Sequence, residues 1–348
     1  MKRIIAAFIY IISHPLRTIK ILQLYRFLKP KYRLTIIFAH AYKEALYQKK
    51  EKSVTIENPL QKAMSQDTQV IINIHDGMLH SGGLTDRLKG MCTLYSYSKK
   101  HNFSFKIYFT HPFFLEKYLL PNEYDWRILS HEISYNLATT ALYIWENEAL
   151  VSDFFKNNKK KQQLHVDCNS AECWAQYSEL FHQLFIPSQY LKEQLNPHLE
   201  KLGGAKKFVT ISFRFQNLLG EFKEAESSAL HKNEQEYLIE ICLKAINDIK
   251  NQNKDIDKIL ITSDSNIFRT LAIKKFPFAY TYIFPKEIGH IDHAEPGKSK
   301  ELTAFLDMFL ISEAKKAYQV RTAQMYNSDF PKMGARINNV PYELIEIK

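Results

Sequence analysis

Short apolar runs alternate with helix-period stretches through most of this chain, and that alternation permits few folds. Gln69-Val70-Ile71-Ile72-Asn73-Ile74 reads as a buried strand. Gly82 and Gly83 then open a helical pattern, with Leu84, Leu88, Met91, Cys92 and Tyr95 at helix spacing. A strand with alternating faces follows over residues 103–109. Strand, glycine turn, helix and strand make a βαβ unit with a right-handed crossover. A second series starts after Gly203-Gly204. Residues 207–213 form a strand ending at Arg214, and a long helix then carries Leu238, Ile239, Cys242, Ala245, Ile246 and Ile249 on one stripe. Residues 258–262 form the next strand, ending at Ser263-Asp264-Ser265. A short helix, a strand over 279–284, a loop rich in His and Gly, a helix over 301–315 and a strand over 317–320 complete the series. The expectation is a second parallel α/β domain. Parallel sheets bind ligands at the carboxyl ends of their strands, which singles out Arg214, Asp264 and the segment after Val320.

At 348 residues the chain is long enough for two domains, and 45% apolar with 24% charged residues is ordinary for a globular protein. The expected division is a basic segment over 1–50, an α/β domain over 51–200 and another over 201–348. Residues 45–68 are polar and read as a linker. A mixed helical stretch, containing Trp126, Trp145 and Trp174, is expected up to about residue 195, with a solvated lysine-rich loop at 156–161. Cys92, Cys168, Cys173 and Cys242 lack the spacing of a zinc site or a disulfide framework. Cys168 and Cys173 lie near His165, Asp167 and Glu172, but the plainer reading is reduced thiols in a reducing compartment.

The net charge is +10, which favours anionic partners. The first 50 residues hold eleven Lys and Arg against one acid, Glu44. Residues 4–12 are apolar, a run far short of the roughly 20 residues that span a bilayer. No small-residue cleavage site follows, as a signal peptide would require. Two readings stay open: a basic amphipathic segment on an anionic membrane face, or a helical pair packed on the protein. No nucleic-acid recognition module is visible, and nucleic acid is not an expected partner.

Four patches then fall in order at strand ends or helix starts: Gly83, Asp86 and Leu88 in the glycine turn; Ser212-Phe213-Arg214; Thr262-Ser263-Asp264-Ser265; and Asp307 through Ala314, followed by a strand and Ser328. Together they resemble the fucosyltransferase superfamily of GT-B architecture. That group includes bacterial nodulation α1,6-fucosyltransferases, eukaryotic core fucosyltransferases and protein O-fucosyltransferases. The resemblance covers roughly residues 69–340 in short patches. It implies two Rossmann-like domains facing across a cleft, with residues 51–200 on the acceptor side and 201–348 binding the nucleotide-sugar.

The resemblance also implies roles. Arg214 binds the β-phosphate of GDP, Asp264 reads the guanine edge beside Ser265, and Thr322 and Ser328 offer hydroxyls to the pyrophosphate. Gly82 and Gly83 let backbone approach the ligand. Ser212 stands where the family has a nucleotide-contacting histidine, and the family's adjacent serine pair is missing near Ser328. Asp307 is expected to cap or brace. Candidate general bases are His75, Asp76, His80 and Asp86, at the carboxyl end of the first strand. Arg87 and Lys89 are candidates for contacting phosphate or an acidic acceptor.

The implied activity is inverting transfer of L-fucose from GDP-fucose to a hydroxyl of a glycan or lipid-linked glycan, with neither metal nor other cofactor. A bacterial enzyme of surface polysaccharide or lipopolysaccharide synthesis is expected, cytoplasmic and peripheral on the inner face of the membrane. The alternatives are another nucleotide-sugar donor, or a non-catalytic glycan- or nucleotide-binding relative.

Overall fold

Residues 2–26, 30–57, 69–79, 82–145, 154–155, 157–168, 174–221, 228–283 and 300–347 are described by a computed structural model. Helices α1 (Lys2–Ser13), α2 (Pro15–Leu24) and α3 (Pro30–Glu57) come first. Ala7 and Tyr10 of α1 are buried, and the Tyr10 hydroxyl donates to Glu44 Oε2 of α3 at 2.5 Å. The expected linker is therefore corrected: residues 45–57 belong to α3, while 58–68 lie outside the described residues. The buried residues of α3 are Ile36, Ile37, His40, Ala41, Lys43, Glu44 and Tyr47. These sit at helical spacing, but His40, Lys43 and Glu44 interrupt the apolar residues, so the stripe is broken in the sequence.

Strand β1 (Val70–His75), helix α4 (Leu84–His101) and strand β2 (Ser104–Phe109) form the expected βαβ unit. β3 (Leu119–Pro121), β4 (Thr140–Trp145) and β5 (Gln163–Cys168) follow. The first sheet runs β2-β1-β5-β4, all parallel. β4 and β5 replace part of the expected helical stretch. β5 alternates Leu164, Val166 and Cys168 with Gln163, His165 and Asp167, and all six are buried. Hydrogen bonds make that burial tolerable. Gln163 takes Ser134 N at 2.8 Å and donates to Glu132 O at 2.6 Å, and His165 Nδ1 meets the Tyr47 hydroxyl at 2.7 Å.

The chain continues through α5 (Tyr177–Leu184), β6 (Phe185–Pro187), which pairs with β3, and α6 (Gln189–Lys201). Then come β7 (Phe208–Phe213), α7 (Lys232–Gln252), β8 (Lys258–Ser263), α8 (Asn266–Lys275) and β9 (Ala279–Tyr280). Helix α9 (Lys300–Ser312), β10 (Lys316–Thr322), α10 (Phe330–Ile337) and β11 (Tyr342–Ile347) end it. The second sheet runs β11-β10-β7-β8-β9, again all parallel. Leu238, Cys242, Ile246 and Ile249 of α7 pack with Val209, Ile211, Ile259 and Ile261 of the sheet. Each of the aliphatic side chains contributes about 1.5–3 kcal/mol by leaving water. The last two elements have no counterpart in the sequence reading, and residue 284 of the strand expected over 279–284 lies outside the described residues.

The chain divides into two compact units, residues 1–82, 86–114 and 121–176, and residues 83–85, 115–120 and 177–348.

Candidate functional site

In the second unit, parallel register pairs Ser212 with Thr262 and Phe213 with Ser263, which brings Arg214 and Asp264 together just past the strands. Arg214 Nη1 lies 3.1 Å from Asp264 Oδ2. The Phe215 amide donates to Asp264 Oδ1 at 2.8 Å and the Gln216 amide to Oδ2 at 2.7 Å. Asp264 is buried, so desolvation pushes its pKa up, against the opposing pull of Arg214 and these amides. The Arg214 side chain is 26% exposed, so part of a five-donor guanidinium meets solvent.

Two residues before Arg214, Ser212 lies on the same face of β7 and accepts a hydrogen bond from Thr262 Oγ1 at 2.7 Å. Ser265 caps α8, accepting from Phe268 N at 3.0 Å, and donates to Glu221. Ile267 N also donates to Glu221, at 3.2 Å, so an acidic side chain occupies the positive end of α8. The sequence reading had no role for Glu221. Thr322 ends β10, and its Oγ1 is buried with no hydrogen-bond partner among the described residues. Ser328 Oγ accepts from Phe330 N at 3.2 Å at the start of α10. Ser212, Arg214, Asp264 and Thr322 thus mark the carboxyl ends of three adjacent strands, β10, β7 and β8, and Ser328 follows in the next loop.

A buried network supports this edge. Arg269 of α8 is inaccessible to solvent and donates to Ser263 O at 2.8 Å, Thr281 Oγ1 at 3.0 Å and Asp307 Oδ2 at 2.9 Å. The Tyr282 hydroxyl donates to the other Asp307 oxygen. Asp307 is a brace, as expected. Arg269 was missed because an arginine on a helix ordinarily reads as solvated.

In the first unit, His75 ends β1 and is buried. Its Nε2 lies 2.8 Å from Asn73 Oδ1, and its Nδ1 is buried with no partner among the described residues. Burial first, then the charges of Arg87 and Lys43, hold its pKa well below the usual imidazole value. Asp76 Oδ1 accepts from Met78 N at 3.1 Å, while its Oδ2 is buried and lacks a partner among the described residues. Burial and then the Asp76 charge raise the pKa of Tyr135. Lys50, whose pKa burial lowers and Asp76 raises, donates to the Tyr135 hydroxyl at 2.7 Å.

Arg87 is buried and turned into the fold: Nε donates to Gly82 O at 3.1 Å and Nη1 to His111 O at 2.7 Å. Asp86 is 40% exposed and lies 2.7 Å from Lys89 Nζ. Gly82 has φ +72°, where a Cβ would meet the Asp86 side chain at 3.1 Å. Gly77, which the sequence reading passed over, has φ +80°, and a Cβ there would lie 2.7 Å from the His111 ring. His80, Cys173 and the loop at 289–293 lie outside the described residues. Among the described residues no group of three or more His, Cys, Asp and Glu side chains is arranged to hold a metal ion. Cys92, Cys168 and Cys242 are free thiols.

No protein-family model matches the chain, and no curated protein matches it in sequence. Solved structures do. A point mutant of Arabidopsis thaliana FUT1 in complex with GDP superimposes with a TM-score of 0.53 at 10% identity, over 89% of this chain and 79% of that one. NodZ alpha-1,6-fucosyltransferase soaked with GDP-fucose gives 0.49 at 12% identity, over 78% and 93%. POFUT1 in its apo form gives 0.48 at 9%, over 82% and 100%. The likeness to FUT1 shows a shared fold, α/β of the GT-B kind.

Proposed function

We propose that this protein is an inverting, metal-independent glycosyltransferase that moves L-fucose from GDP-fucose to a glycan hydroxyl. The observation that carries the reading is the Arg214–Asp264 pair at the carboxyl edge of β7 and β8, next to Thr322 at the end of β10. A GDP complex of the FUT1 fold supports the choice of donor.

In this reading Arg214 neutralises the β-phosphate of the leaving GDP, where charge grows as the glycosidic bond breaks. Thr322 and Ser328 donate hydroxyls to the pyrophosphate. Asp264 holds Arg214 and, through the Phe215 and Gln216 amides, the loop after β7 in place beside the guanine. The acceptor oxygen forms its bond to the anomeric carbon from the face opposite the diphosphate, GDP departs with the electron pair, and the acceptor proton passes to a base. Asp76 is the base this reading favours, because its side chain is partly exposed while His75 is sealed in the core. Asp86 is exposed enough to touch an acceptor. The first unit takes the acceptor, a surface glycan or its lipid-linked precursor, at the cytoplasmic face of the membrane.

A second reading, another nucleotide-sugar donor or nucleotide binding without transfer, is favoured by Ser212, which is bonded to Thr262 where the resembled family has a histidine. Release of nucleotide from GDP- and UDP-sugars decides between them. The proposal expects turnover with GDP-fucose that Arg214→Ala abolishes. Equal turnover of wild type and variant, or turnover of UDP-sugars alone, overturns it.

A further inference from the structure

The first two helices leave a large apolar surface uncovered. On α1, Ile4, Ile5, Phe8, Ile9 and Ile12 are each between 51% and 65% exposed, while Ala7 and Tyr10 are buried. At 100° per residue the five exposed residues occupy an arc of roughly 140°, one continuous face. Leu16, Ile19 and Leu22 extend it along α2 with exposures of 78%, 49% and 45%. A patch of this kind on a soluble chain marks an interaction surface. One side of α1 packs on α3, and the other is presented outward.

Charge complements the apolar face. Lys20 and Arg26 of the same region are exposed. Under α2 lies a cavity of about 510 Å³ lined by Arg17, Lys20, Arg26, Lys161, His40 and Glu44 among others. Four cations there face a single carboxylate, and that carboxylate is shared: Glu44 receives the Tyr10 hydroxyl and lies 3.5 Å from Arg17. Lys161 Nζ is held by Leu137 O at 2.7 Å and Ala138 O at 2.8 Å. Burial, then the positive charges of Arg17 and Lys20, push its pKa down. An anion in the cavity would relieve that repulsion.

Helices of 12 and 10 residues are about 18 and 15 Å long at 1.5 Å per residue, against a hydrocarbon core of about 30 Å. They meet at 110°, so they do not add up to one straight span. Among the described residues no single helix is long and apolar enough to cross a membrane.

We propose that α1 and α2 lie in the interface of an anionic phospholipid bilayer, with the isoleucine-rich face of α1 in the acyl boundary and a lipid phosphate in the basic cavity under α2. Apolar burial supplies the anchoring and the cations select the headgroup. The inference does not rest on the donor reading, because it concerns another part of the chain and is measured without donor.

The test is co-sedimentation of the full chain with vesicles of phosphatidylcholine alone or of phosphatidylcholine mixed with anionic phosphatidylglycerol. Wild type should partition at least about tenfold more strongly onto the anionic vesicles, and 0.5 M salt, with a Debye length of only about 4 Å, should weaken it. Phe8→Asp with Ile9→Asp should abolish binding to both. Lys20→Glu with Arg26→Glu should remove the anionic preference and leave the weak residual binding intact. Unchanged melting temperatures would show that the variants fold. Wild type that stays in the supernatant, or variants that bind like wild type, would overturn the proposal. So would a wild-type dimer that Phe8→Asp dissociates, since a second copy would then cover this face.

Discussion

The guanidinium of Arg214 and the carboxylate of Asp264 meet at 3.1 Å across the carboxyl ends of two adjacent parallel strands. The pair is asymmetric. Asp264 is sealed and also holds two loop amides, whereas Arg214 keeps part of its surface in solvent. Asp264 therefore shapes the loop after β7, and Arg214 is the partner positioned to meet an incoming anion.

Asp264→Asn should cost about 1–3 kcal/mol, because one amide loses its charged acceptor inside the fold. Urea unfolding with an unchanged m-value would register it as a lower midpoint. An unaltered midpoint would mean that Asp264 does not organise the loop.

The Arg269–Asp307 pair predicts a larger loss. Both side chains are buried, and Tyr282 shares the aspartate. Asp307→Ala leaves a guanidinium in the core without its counter-charge, at a cost of about 3–5 kcal/mol. Denaturant unfolding measures that loss, while GDP affinity per folded molecule should stay within about twofold, a change worth only about 0.4 kcal/mol.

Gly77→Ala combines a left-handed backbone with a Cβ 2.7 Å from the His111 ring. It should destabilise by about 2 kcal/mol or more. Gly204→Ala has φ +100° but nothing within 4 Å, so it should cost only the backbone strain, about 1–2 kcal/mol. Paired thermal melts check the order of the two.

His75 and His165 predict a pH dependence. Burial, then nearby positive charge, lowers His75 well below the usual value and His165 to about 3. A depressed folded-state pKa means that the unfolded chain takes up protons first. The stability is complete above about pH 6.5 and is lost as pH falls toward the folded values. His165→Gln should reduce the slope of unfolding free energy against pH, between pH 6 and 4, by up to about 1.4 kcal/mol per pH unit. An identical slope would place a proton on His165 in the folded state.

Legibility in the sequence followed the chemistry of burial. β7, β8 and β10 are buried mainly by apolar side chains, so their runs can be read directly, and with them the ends at Arg214 and Asp264; the last strand reads only as far as Val320, because Arg321 and Thr322 that finish it are polar and half-buried. β5 and α3 bury Gln163, His165, Asp167, His40, Lys43 and Glu44 among their apolar residues, and the cost of those polar groups is met largely by partners distant in sequence. Tyr47 and His165, for instance, are 118 residues apart. Periodicity of apolar residues carries no trace of such pairs. In the candidate site, Arg87 shows the same limit: its type and place suggest a ligand contact, but Gly82 O and His111 O draw it inward. Glu221 at the start of α8 escaped notice because its partners, Ser265 and Ile267, are more than 40 residues downstream.

In the proposed function the carboxyl edge of the second sheet holds a guanosine diphosphate through Arg214. Calorimetric titration of GDP and UDP into wild type and Arg214→Ala tests it most directly. GDP should bind, UDP should bind at least about tenfold more weakly, and Arg214→Ala should lose about 1.5–3 kcal/mol of GDP affinity while remaining folded. Equal affinity for the two nucleotides, or a variant that binds GDP like wild type, would contradict it.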